Sequence, residues 1–110
     1  MRDMGKEAGA IAEGLAREDY PALAQAAARI AAHPQPPAQE RAQIITWLGA
    51  RAARFRGFDQ QANDEATALA AAARAGDGEA ALDAFHRMQA ACLGCHAEFR
   101  RPLLQRFYPL

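Results

Sequence analysis

The chain has 110 residues, 51% of them hydrophobic and 24% charged, the size and balance of one globular domain spanning 1–110 with a core of its own. Thirteen basic and thirteen acidic side chains cancel, so bulk charge gives no reason to expect a nucleic acid or an anionic membrane as partner, and no apolar run is long enough to span a bilayer. Val and Ser are absent, Thr occurs only at Thr46 and Thr67, and there are roughly 30 alanines; strands have little to be made from, serine-nucleophile chemistry is excluded, and the expected fold is all-α.

The segment from Arg2 to Ala16 spaces Met4, Ala8, Ile11, Ala12 and Leu15 along one helical face. Its opening, MRDMGKEAGAIAEGLARED, has no compact apolar stretch followed by a small-residue cleavage site and does not read as a signal peptide. Asp19, Tyr20 and Pro21 form an expected N-cap with proline in the first turn, opening a second helix that carries Leu23, Ala27, Ile30 and Ala31. That helix ends before Pro34, where HPQPPAQE is a loop rich in proline.

Helical periodicity resumes near Ala38 and runs to Ala75 through Ile44, Ile45, Leu48, Ala52 and Phe55, then Ala62, Ala66 and Leu69, with a kink or break expected at Gly57. AGDGE at 75–79 supplies a glycine stop and an N-cap, Asp77, for a last helix. Leu82, Phe85, Met88, Ala91, Cys92, Cys95 and Phe99 mark its apolar positions, and it is expected to fade near Pro102. Four amphipathic helices with short connections pack most simply as an antiparallel four-helix bundle, and most of their apolar stripes need no partner beyond the core.

Both cysteines of the chain fall in ACLGCH, residues 91–96. On a helix Cys92 and Cys95 stand three apart and His96 four from Cys92, so the three project from one face within about one turn. Covalent haem attachment needs that arrangement: two thiols reach the vinyl groups at one edge of a porphyrin while the neighbouring imidazole meets the iron. Three other readings compete. A redox dithiol belongs at the start of a helix after a strand, and no strand is expected here. A structural zinc site needs four ligands, so His33 and His86 would both have to join the cysteines. The plainest reading is two small buried thiols beside a surface histidine.

The run ACLGCHAEFR, together with the upstream AAARAGDGEAALDAF, resembles the C-terminal part of the class II c-type cytochromes, the cytochrome c′ family. Trp47 and Phe55 are placed like that family's aromatics in the third helix, and MRDMGKEAGAI resembles part of its first helix. The chain departs from the family where an arginine of relatives would precede residue 1 and where the connection after the second helix is shorter. The resemblance implies one haem c held by thioethers from Cys92 and Cys95, with His96 as proximal iron ligand. It implies Arg100, one turn on, near that imidazole or a haem propionate, and Phe85 and Phe99 as packing.

The resemblance makes the sixth iron position decide function. Met1 aligns with the distal residue, and Met4 lies one turn further along the same face. A His96/Met1 pair implies a low-spin iron that carries single electrons. An apolar distal residue implies a five-coordinate cytochrome c′ open to NO or CO. Met88 precedes the motif on its own helix and is not expected to reach the far side, and His33 and His86 are expected at the surface. The resemblance further implies redox partner proteins, a possible homodimer through the first two helices, and a bacterial periplasmic location, since haem c is attached after export; the sequence shown would then begin after processing. No acid–base pair near the motif marks an enzyme, and none is expected.

Overall fold

The computed structural model describes residues 2–109, and among them every regular element is helical. The elements are α1 (Arg2–Arg17), α2 (Tyr20–Ala31), α3 (Ala38–Leu48), a 3₁₀ turn (Gly49–Arg51), α4 (Ala52–Arg74), α5 (Gly78–Cys95), a π-helical turn (His96–Arg100) and α6 (Arg101–Phe107). No helix among the described residues is long and apolar enough to cross a membrane.

The two expected caps form. The Asp19 carboxylate accepts from the Ala22 amide at 3.2 Å, with Pro21 in the first turn of α2, and the Asp77 carboxylate accepts from the Ala80 amide at 3.0 Å. At the end of α4, Gly76 has φ 68° and its amide and that of Asp77 return to the Ala73 and Ala72 carbonyls, both at 3.0 Å. Only glycine takes that backbone conformation without strain, so one glycine closes α4 and lets Asp77 open α5.

The expected break falls elsewhere. Gly57 lies inside an uninterrupted α4, while the chain turns at Gly49, whose φ of 57° and ψ of −124° suit glycine. At the other end Pro102 does not stop the last helix. A proline ring collides with the carbonyl four residues back in a regular helix. Here the turn just before it, His96–Arg100, is widened to π geometry, and α6 continues to Phe107.

Two cores result. The larger gathers α1, α2, the C-terminal half of α4 and the N-terminal half of α5 around Ile11, Leu23, Ile30, Leu69 and Met88, with buried alanines between them. Alanine at the contact faces lets these helices approach closely. From the α1 stripe Ile11 is fully buried, Met4, Ala8 and Leu15 half-buried, and Ala12 exposed. On α5 the core positions are Ala81, Ala84, Met88 and Ala91, so Leu82, expected inside, faces outward at 56% exposure. The four-helix bundle therefore covers only part of the molecule. The smaller core packs Ile44, Leu48, Ala52 and Phe99, joining α3 and the start of α4 to the π turn and α6.

Phe99 is 1% exposed and its ring meets Phe55 and Phe58 edge-on at centroid distances of 5.4 and 6.5 Å. Phe99→Ala is expected to destabilise the fold by about 3–5 kcal/mol in denaturant unfolding, the range for a large aromatic removed from a packed core. A loss below about 1 kcal/mol, the size of an ordinary surface change, would mean the smaller core does not hold the C-terminal helix.

Candidate functional site

The antiparallel register of α4 and α5 positions the CLGCH motif. Arg54 meets Glu98 at 2.5 Å, the Phe58 ring lies against Gly94, and Arg87 meets Glu65 at 2.9 Å. As the α4 number rises through 54, 58 and 65, its partner falls through 98, 94 and 87, which is one continuous register. A Cβ on residue 94 would come within 2.7 Å of Phe58 Cε1, so the glycine inside the motif lets an aromatic ring of α4 lie flush behind it.

The motif stands where the two cores meet. Cys92 packs against the larger and Cys95 against the smaller. Both thiols are free and half-buried, His96 is half-buried, and Leu93 points outward at 69% exposure. Cys92, Cys95 and His96 thus occupy neighbouring positions on one partly accessible flank, spanning the last turn of α5 and the first residue of the π turn.

Burial raises the Cys95 thiol to about 11, with Asp59, Cys92 and Glu98 adding negative charge around it. Burial raises Cys92 as well, aided by Asp59. This setting is the reverse of one that activates a redox dithiol, which needs a stabilised thiolate. For His96, burial and then the Arg100 guanidinium lower the pKa and favour the neutral imidazole, the form that binds a metal.

Among the described residues no three His, Cys, Asp or Glu side chains converge as a metal-holding group. His33 lies just past the end of α2 with Nδ1 2.8 Å from the Ile30 carbonyl, and His86 is exposed on α5, so neither joins the cysteines as the zinc reading required. A haem makes a different demand. Its sulfur partners belong at the rim and its imidazole at the iron, which calls for two thiols and an imidazole within about one turn of one helix, the spacing of Cys92, Cys95 and His96. The free thiols, their spacing and the half-exposed imidazole fit that group.

Of the remaining expected residues, Arg100 is exposed on the π turn, Phe85 packs half-buried on the larger core, and Trp47 and Phe55 pack on the smaller. Met88 is buried and Met4 packs against the larger core. Met1 lies outside the described residues. Sequence reasoning missed Asp59, whose charge bears on both thiols, and the Phe58–Gly94 contact. Each needs the register between α4 and α5, and periodicity within one helix carries no such information. No family model, curated protein or solved structure matches this chain.

With both thiols free, Cys95 is expected to react with iodoacetamide at pH 8 about tenfold more slowly than an unperturbed thiol. Its raised pKa leaves roughly one hundredth of the thiolate, partly offset by greater nucleophilicity. The rate should keep climbing well past pH 9. Reaction as fast as a free peptide thiol at pH 8, read by mass spectrometry, would contradict this picture of the site.

Proposed function

We propose that this chain is a class II c-type cytochrome that carries single electrons. The observation supporting it is the placement of Cys92, Cys95 and His96 on one accessible flank at the seam of two cores. In this reading Cys92 and Cys95 form thioethers to a single haem c, and His96 holds its iron from the proximal side. When bound, the haem supplies an iron that exchanges one electron between ferrous and ferric forms.

The chain's own residues would fix how that happens. Gly94 and Phe58 close the back of the motif, so the attachment turn cannot twist away from α4. Arg100 keeps positive charge beside the imidazole, which disfavours its protonation and so keeps it available as a ligand. Met1 is the proposed distal ligand, giving low-spin iron. The reading places the protein in a bacterial periplasm, where haem c is attached, and allows a second copy to pack through α1 and α2.

A second reading, a five-coordinate cytochrome c′ that binds NO or CO, draws support from Met4. That side chain, the alternative distal ligand, packs against the larger core. If Met1 does not ligate, the distal side has no methionine on α1 to fill it.

Replacing both cysteines, Cys92→Ala with Cys95→Ala, is expected to abolish covalent haem in protein exported alongside the haem-attachment machinery, seen as loss of haem stain on a denaturing gel. Undiminished stain would remove the cysteines from the site. Met1→Ala in an exported precursor is expected to convert low-spin iron to high spin; an unchanged visible spectrum would place the distal ligand elsewhere.

A further inference from the structure

The zero net charge conceals a separation along the molecule, whose longest dimension is 42 Å. Residues 38–60 and 92–109, the α3 to α6 end that holds the smaller core, contain seven arginines against three carboxylates. The other described residues contain ten carboxylates against six basic side chains. All seven of those arginines are exposed.

Of the three carboxylates at the arginine end, among the described residues one, Glu98, is in a salt bridge. Glu98 pairs with Arg54, Glu40 accepts a hydrogen bond from the Tyr108 hydroxyl, and Asp59 bears on the two thiols. Among the described residues, no carboxylate lies in salt-bridge contact with Arg51 or Arg106 at this end. These two are instead held on aromatic faces. The Arg51 guanidinium lies 5.0 Å from the Trp47 ring centroid and that of Arg106 lies 5.0 Å from Phe107. Trp47 and Phe107 meet edge-on at 5.6 Å, and with Gln39, Gln43 and Arg106 they line an open groove between α3 and α6.

From this we infer that the groove between α3 and α6 and its arginine rim form the docking surface for an acidic protein, the electron-exchange partner of the haem site. That the partner exchanges electrons rests on the functional reading above; that it is acidic rests on the arginines and the groove alone. Guanidinium groups stacked on aromatics lose less freedom when they pair with carboxylates, and Trp and Arg are the side chains that dominate protein interfaces. The charge separation orients an acidic partner toward this end before contact. Cys95, Trp47 and Phe107 all pack on the same smaller core, so a partner seated here approaches the haem-binding segment. A long polyanion such as duplex DNA fits less well, because lying along the molecule it would meet the other end, where ten carboxylates outnumber six basic side chains.

The test has two arms. In the first, a ten-residue polyglutamate peptide is titrated into the haem-loaded protein by calorimetry, while the indole N–H resonance of Trp47, the single tryptophan, is followed. Saturable binding that weakens as salt is added and shifts that resonance is expected. A loss of at least tenfold in affinity is expected for Arg51→Glu with Arg106→Glu, a smaller loss for the corresponding Gln pair, and less than twofold for Arg74→Glu at the acidic end. Absence of binding, equal binding of a ten-residue polylysine, or tighter binding of duplex DNA or phosphatidylglycerol vesicles would overturn the inference.

In the second arm, ferrous protein gives one electron to ferricyanide, leaving ferric protein and ferrocyanide. Its rate should fall with added salt, and the rate with the cationic tris(phenanthroline)cobalt(III) should rise. The opposite salt dependence would overturn the inference. A chain that carries no haem yet binds polyglutamate at the arginine end would overturn the electron-carrier reading and leave acidic docking standing.

Discussion

The register between α4 and α5 is the constraint on which the other features depend. It is set by a ring against a glycine, Phe58 on Gly94, and flanked by the Arg54–Glu98 and Arg87–Glu65 pairs. The ion pairs are exposed and individually worth little. Close packing of the ring is what specifies the alignment, because a slip along the helix would drive a Cβ into it. With that register in place, Cys92 reaches the larger core, Cys95 the smaller, and His96 opens the π turn beside them.

The π turn performs two tasks. It absorbs Pro102 without ending the helix, and it lets Phe99 enter the smaller core, where three aromatic rings pack edge-on. That core ties α3 and α6 to the motif and brings together the arginines at that end of the molecule. The same short stretch of backbone therefore shapes both the proposed haem-binding flank and the surface beside it. The larger core, built mainly from alanines, holds α1 and α2 against the opposite half and contributes the acidic end.

Much of the fold was legible in residue chemistry. The all-helical class followed from alanine abundance, the lack of Val and the scarcity of Thr, and the Asp19 and Asp77 caps followed from side chains able to accept amide protons at helix starts. Gly49 and Gly57 were not separable from sequence alone, because both lie within one long periodic segment and only the backbone angle at Gly49 distinguishes them. Pro102 misled for a related reason: a proline predicts a clash, and the widened turn that relieves it depends on where Phe99 can be buried. At the site, the spacing of Cys92, Cys95 and His96 was fully readable. Asp59 and Phe58 were not, since they face the motif across a helix interface. The Arg–aromatic groove was hidden by a net charge of zero, which sums over two ends of opposite sign.

The central claim is that Cys92, Cys95 and His96 hold a haem whose iron carries electrons. The visible absorption spectrum of the purified protein tests it most directly, recorded oxidised, then reduced with dithionite, then with CO added. A sharp reduced α-band that CO leaves unchanged is the expected result, meaning a filled sixth position. No haem absorbance at all would contradict the claim, and a broad high-spin spectrum that shifts with CO would replace the electron carrier with a gas-binding protein.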